Sequence, residues 1–475
     1  MSENALLDTL RHRILVADGA MGTMLQDADL DLDDFEGLEG CNEILNMTRP
    51  DVVRHIHDAY FSAGADCVET NTFGCNFGNL GEYDIVHRNR ELAQRGAELA
   101  REIADSHATP DRPRYVLGSM GPGTKLPTLG HSPFSVLRDA YQECTAGLIA
   151  GGADALLVET SQDLLQTKAG VLGAQRAMKA AGVKAPIIAS VTVETTGTML
   201  VGSEIGAALT ALSALGVDVI GLNCATGPAE MSEHLRYLSK HSPIPISVMP
   251  NAGLPELGPN GAVYPLTAGE LADAMETFVD EFGVSLIGGC CGTTPEHIRQ
   301  LRERLGEREA APRDIVVEPG ISSSYHHVPF KQDVTILNIG ERTNANGSKA
   351  FREAMLDADW DRCVEIARNQ ARSGAHVLDL CVDYVGRAGS DDMRELAGRF
   401  ATASTLPIML DSTEPDVIAA GLESLGGRCV VNSVNFEDGD GPDSRYARAM
   451  PAIVEHGAAV VVMCIDEEGQ ARTAD

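Results

Sequence analysis

The sequence is short of positive charge. Its 475 residues carry 37 Lys and Arg against 69 Asp and Glu, a formal net charge of −32. That balance excludes a nucleic-acid surface, which needs a basic stripe to meet phosphate. Lysine itself is scarce: 7 of the 37 basic residues, the other 30 being Arg. An acidic, Lys-poor surface suits a salt-rich cytoplasm, and Arg bias suits a GC-rich genome equally well. No apolar run approaches the ~20 residues a membrane-spanning helix requires, so no membrane contact is expected. The opening stretch MSENALLDTLRHRILVADGAMG lacks the basic-then-apolar build of a secretory leader. A cytoplasmic location is the expectation. The eleven cysteines include no CxxC pair, and in a cytosolic chain they are expected reduced. Cys67, Cys144, Cys363, Cys381, Cys429 and Cys464 sit in apolar contexts and read as small core residues. Cys224, Cys290 and Cys291 do not. The acidic run at 27–40 reads as a solvated loop.

What is present is a repeated rhythm. Over residues 1–305 a short apolar strand is followed by an amphipathic helix, eight times. The strands are read at 14–20, 67–73, 114–120, 155–161, 187–193, 219–225, 246–252 and 286–292. Continuous apolar strands alternating with helices mean a parallel sheet covered on both faces. Eight such units in about 300 residues match the count and size of a (β/α)8 TIM barrel. The strands end in polar or thiol residues: Asp18, Glu69, Asn71, Ser119, Glu159, Glu194, Asn223, Cys224, Asn251, Cys290 and Cys291. Barrel active sites are built at that C-terminal rim.

Residues 306–330 are rich in Pro, Gly, Ser and charge and read as an interdomain linker. Beyond them the rhythm restarts, with strands at 335–344, 376–383, 407–412, 429–435 and 459–467. The fold expected is therefore α/β: an N-terminal barrel over 1–305, then a second, incomplete (β/α) barrel over 331–475. The stop after a fifth strand reads as a fragment of a longer protein.

Three cysteines share the rim of the first barrel. Cys224 ends the sixth strand and Cys290–Cys291 end the eighth. Adjacent side chains diverge in a regular strand, but Gly288, Gly289 and Gly292 open backbone angles closed to other residues. A kink there can aim both sulfurs at one point. Three thiolates suit Zn2+, and an open fourth position would make the site catalytic. Three buried thiols, or a disulfide between Cys290 and Cys291, are the plainer alternatives.

VADGAMGTMLQ, ADCVETNTFGCN, LLVETSQDLLQTKA, GLNCATGP, MPNAGLP and IGGCCGTTPEHI together resemble the zinc-dependent homocysteine S-methyltransferase family. They are most similar to the homocysteine-binding module of the cobalamin-dependent methionine synthases. The likeness spans nearly all of 1–305. NIGERTNANGSKAF, PIMLDSTEPDVIAAGL, VVNSVNFEDG and VVVMCIDEEGQA resemble the pterin-binding module of the same family, which takes methyltetrahydrofolate.

The resemblance implies a methyltransferase that makes methionine from L-homocysteine. Cys224, Cys290 and Cys291 would hold Zn2+ and act through it. Methyltetrahydrofolate would be the donor, relayed by cobalamin on a domain in cis or in trans. The family's cobalamin-ligating DxHxxG pattern does not occur in this chain. Asp18 and Glu159 are the expected partners of the homocysteine ammonium, and the turn Gly19–Ala20–Met21 that of its carboxylate. Ser119 and Asn223, with Asn251, are expected to line the pocket, while Glu69 and Asn71 organise the rim. On the pterin side Asp411 is expected to accept two parallel donors and Asn432 to meet the ring. Glu341 and Asn344 are further implied contacts; Asp379 and Asp383 are ambiguous, since such acids also cap helices. GERTNANGS is not a GxxxxGK[ST] loop, so nucleotide binding is not expected. Two alternatives stand beside this reading: a homocysteine methyltransferase using S-methylmethionine or betaine, and a non-enzymatic zinc or thiol sensor.

Overall fold

The computed structural model describes residues 5–258 and 261–473. Eight strands form one parallel sheet: β1 (Leu15–Val16), β2 (Cys67–Glu69), β3 (Tyr115–Met120), β4 (Ala155–Ser161), β5 (Ile187–Val191), β6 (Val219–Asn223), β7 (Ile246–Met249) and β8 (Leu286–Ile287). Their hydrogen-bonded order runs β1-β8-β7-β6-β5-β4-β3-β2. Nearly every strand residue is buried, as expected where helices cover the outside and side chains fill the inside. The ring closes between β1 and β2 through Asp66. Its amide donates to Val16 O at 2.6 Å, and its carboxylate accepts from Val16 N at 3.1 Å. Below the sheet that buried carboxylate is matched by Arg13, Arg112, Arg114 and Arg302 at 2.8–3.7 Å. A lone buried charge would be costly; the surrounding guanidinium groups satisfy it.

The second unit has five parallel strands in sequential order: β9 (Ile339–Gly340), β10 (Val377–Leu380), β11 (Ile408–Asp411), β12 (Val430–Val434) and β13 (Ala459–Val462). It is the partial second barrel that the rhythm implies.

Several details differ from the sequence reading. The paired stretches of β1, β2, β8 and β9 are shorter than expected, and after β9 only Asn344 returns to the sheet, as an isolated bridge to Cys381. The last expected strand ends at Val462; Ile465–Asp466 then folds back on Gly469–Gln470. Cys464 immediately precedes that hairpin and is exposed, not a core residue. A hairpin pairing Glu256–Gly258 with Gly261–Val263 interrupts the unit after β7. The expected linker contains a second hairpin, Gly320–Ser322 against His327–Pro329. Its fully buried Ile321 packs on Val377, Met409 and Val430, closing the floor of the second sheet.

The seam between the two units is built on cations from the first barrel. Lys168, fully buried on the helix Leu164–Ala181, donates to the carbonyls of Leu422 (2.7 Å) and Leu425 (3.1 Å). Leu422 ends the helix Pro415–Leu422, where carbonyls lack intrahelical partners and a positive charge is favoured. Arg138 pairs with Glu423 at 2.8 Å and Arg176 with Glu455 at 2.5 Å.

Candidate functional site

The three rim cysteines converge. Their sulfurs all lie within 4.8 Å of one another, with Cys224 to Cys291 at 3.9 Å and Cys290 to Cys291 at 4.0 Å. Cys290 and Cys291 are therefore free thiols, far beyond disulfide length. The kink that brings adjacent sulfurs together is built from backbone. Cys290 N donates to Pro250 O at 2.8 Å, Cys291 N to the Asn251 side-chain oxygen at 3.1 Å, and Ala252 N to Cys291 O at 2.9 Å. Asn251 thus orients the thiol loop. Of the three glycines, only Gly292 has a left-handed φ, +79°. Gly288 and Gly289 are required instead by close approach: a Cβ on Gly289 would lie 2.5 Å from Thr293. Cys224 and Ala225 hold φ of 61° and 56°, and Thr160 53°. Non-glycine residues rarely adopt this region, and such strain concentrates at functional sites.

Hydrogen bonds with Cys224 and Cys290 lower the Cys291 thiol below its ordinary range, while the same contacts raise Cys290. The spacing suits a metal. Four ligands at ~2.3 Å around tetrahedral Zn2+ stand ~3.8 Å apart, close to the two sulfur separations.

Beside the thiols lies a buried acidic network. Glu159 accepts from Ser119 Oγ at 2.5 Å and from Asn223 Nδ2 at 3.2 Å. Asn223 also bonds Thr160 and Ser190, fixing the strained end of β4. Burial pushes the Glu159 carboxyl up to about 7. The Asp18 carboxylate accepts from Glu69 N at 3.1 Å, and burial raises it well above its ordinary range. Glu69 is raised by burial and by the charges of Glu159 and Asp18. Among the described residues no Lys or Arg offsets any of these three acids. The pocket thus holds buried acids with no cation of its own among the described residues.

The expected carboxylate-binding turn is only partly free. Ala20 N donates to Thr293 Oγ1 at 3.2 Å, and Gly19 packs against Thr293 and Tyr60. Met21 opens the helix Met21–Gln26, whose first turn has no side-chain cap. Asn71 is structural, donating to Asn42 O and to Asn46. Sequence reasoning missed Thr293 and Tyr264. Thr293 Oγ1 donates to Cys290 O at 2.6 Å. Tyr264 follows the inserted hairpin and packs on Gly292. The TT after GGCCG could have flagged Thr293; nothing near Tyr264 signals its role.

On the second sheet Asn344 Nδ2 donates at 2.9 Å to both Asp379 and Asp411. The other oxygen of Asp379 is buried without a partner. Burial pushes Asp379 up to about 6 and raises Asp411. Asn432 lies beside Asp411 in register across β11 and β12. Glu341 is exposed on the loop after β9, near enough for its charge to act on both acids. Asp383 accepts from Ser412 Oγ at 2.9 Å, and its charge acts on Asp411.

Comparison with known proteins agrees with both halves. Residues 15–305 match the homocysteine S-methyltransferase family model, and residues 340–475 match the pterin binding enzyme model. Methionine synthase of Mycobacterium tuberculosis is 66% identical over 469 residues, and that of Mycobacterium leprae 65% over 475. Each alignment covers 99% of this chain but only 39% of the relative, so the chain spans about two fifths of these relatives' length. Among solved structures, the metallated form of the homocysteine methyltransferase MmuM from Escherichia coli has the same barrel. It aligns at a TM-score of 0.50 and 24% identity, over 63% of this chain and 98% of that one. The eight-stranded barrel and the match over 15–305 place the chain in the homocysteine S-methyltransferase family, with a pterin-binding-type unit behind it.

Proposed function

We propose that this chain transfers a methyl group to the sulfur of homocysteine to form methionine. The donor is methyltetrahydrofolate, bound by the second unit and relayed by a cobalamin-carrying domain. The observation that carries the reading is a pair of features on one rim: three converging thiols, and beside them acids that lack a cation. Homocysteine supplies what both lack, a fourth sulfur and an ammonium group.

Cys224, Cys290 and Cys291 would hold Zn2+. When bound, the metal acts as a Lewis acid that keeps a ligated thiol deprotonated near neutral pH. The protein's own residues do the rest. Glu159 and Asp18 receive the ammonium, which relieves the cost of their buried charge. Ser119 and Asn223 hold Glu159 in place, and Asn223 ties it to the strained end of β4. The amides around Met21 are offered to the carboxylate. In the second unit Asp411 and Asp379 face paired ring donors of the pterin, with Asn344 holding the two acids and Asn432 alongside.

The acid cluster disfavours a bare thiol sensor, which would leave it without purpose. The Asp379–Asn344–Asp411 cluster favours a pterin donor over a small one. Titrating L-homocysteine into zinc-loaded protein tests the reading. Proton release together with a changed zinc coordination shell is expected; metal bound tightly with no response to homocysteine would refute it.

A further inference from the structure

The thiol loop and the turn after β1 meet at one threonine. Thr293 follows the cysteine pair closely and is fully buried. Its hydroxyl donates to Cys290 O at 2.6 Å and accepts from Ala20 N at 3.2 Å. One oxygen thus joins the thiol loop to the turn that faces the amino-acid end of the substrate. A second strap runs beside it. Tyr60, fully buried on the helix Pro50–Ala63, places its hydroxyl 3.2 Å from Ala20 O and 3.3 Å from Thr293 O. Backbone adds a third point, where Gly289 N donates to Asp18 O at 3.0 Å. The two loops have no room to slide. A Cβ on Gly19 would lie 2.6 Å from Thr293 Oγ1 and 3.0 Å from the Tyr60 hydroxyl oxygen, and a Cβ on Gly289 2.5 Å from Thr293.

We propose that Thr293 and Tyr60 are positioning residues that set the chain length of the amino-acid thiol the site accepts. The substrate must bring its sulfur to the cysteine cluster and its ammonium and carboxylate to the turn at 18–21. The separation of those two loops therefore measures the methylenes between the substrate's two ends. Homocysteine exceeds cysteine by one of them, a carbon–carbon bond of about 1.5 Å. A misplacement of about 1 Å can cost about a hundredfold in rate, and one methylene is worth about 10–200-fold in discrimination. Both side chains are fully buried, so neither touches the substrate; each acts through the loops that it joins. This inference rests on the homocysteine reading of the rim.

The test compares L-homocysteine with L-cysteine by calorimetric titration into the zinc-loaded full chain. Thr293→Val keeps the shape and removes both hydrogen bonds of the hydroxyl. It is expected to retain its zinc and to weaken L-homocysteine about tenfold. L-cysteine should change by less than about twofold, so that the preference for the longer thiol narrows. Thr293→Ser, which restores the hydroxyl, should recover that preference. Tyr60→Phe, which keeps the ring, should narrow it as well, and it carries the test should the valine chain not fold. An unchanged homocysteine-to-cysteine ratio in either folded variant would overturn the proposal. So would a serine chain no more selective than the valine one, since packing would then matter and the hydroxyl would not. Loss of zinc from folded Thr293→Val would also overturn it, by making Thr293 a support of the thiol loop alone. An unaltered chain that binds zinc but not homocysteine would instead overturn the reading on which the proposal rests.

Discussion

Glu159→Gln should strengthen the fold while weakening the site. The substitution keeps the side-chain shape and an oxygen that can accept from Ser119 or Asn223, and it removes the charge. Burial moves the carboxyl from an ordinary value of 4.5 to about 7. At about 1.4 kcal/mol per pH unit, holding the ionised form in the folded pocket costs about 3 kcal/mol. The folded state keeps its proton to higher pH than the unfolded chain does. Between pH 4.5 and 7 it therefore binds more protons, and stability falls as pH rises through that window. Below 4.5 both states are protonated and the cost vanishes; above 7 it is complete. Urea unfolding of metal-free protein should thus show Glu159→Gln close to the unaltered chain at pH 4.5 and about 3 kcal/mol more stable at pH 8. Homocysteine affinity should move the other way, by at least about thirtyfold, because the ammonium loses a buried charged partner. A stability difference that is the same at both pH values would refute the reasoning, as it would show that burial of charge is not what Gln relieves.

Cys290→Ser should lower zinc content from near one per chain to background by elemental analysis; a full equivalent retained would remove the cluster as the metal site. Asn344→Ala should leave Asp379 and Asp411 without their shared donor and weaken methyltetrahydrofolate binding about tenfold, read by quenching of its fluorescence. Lys168→Ala should leave the carbonyls of Leu422 and Leu425 without partners at about 1–3 kcal/mol each. Faster hydrogen exchange at the end of the helix Pro415–Leu422 and in residues 423–425 would register the loss; unchanged protection there would show that the seam does not depend on this cation.

The barrel was legible because its strands are buried on both faces, so each reads as an unbroken apolar run such as YVLGSM or ALLVETS. The rim acids and thiols were legible because each ends one of those runs. The ring closure through Asp66 was not, since it depends on a carboxylate reaching across to Val16. The buried hairpin around Ile321 was hidden by composition: Ser and Gly suggest a loose connection, yet one isoleucine decides that the segment packs. Asp379 and Asp383 look alike in HVLDLCVD; only three-dimensional contact shows that the first meets Asn344 and the second meets Ser412. Tyr264 was beyond reach for the same reason, because its importance rests on the missing side chain of Gly292, distant in sequence. The roles given to Gly288 and Gly289 were right in residue and different in cause: crowding by neighbours, not freedom of the backbone, excludes a larger side chain.

The seam between the two units has a consequence for handling and for evolution. Its centre is a lysine reaching backbone carbonyls, flanked by arginine–glutamate pairs. Burial lowers the Lys168 ammonium to about 8, so the joint holds this cation at a desolvation cost that its two carbonyl partners offset. Parting it would return that ammonium and its carbonyl partners to water, and would also uncover the contacts of Phe134 with His456 and of Leu164 and Leu165 with Gly426. Dividing or recombining the chain at this joint therefore needs a replacement for its apolar contacts as well as for its charges.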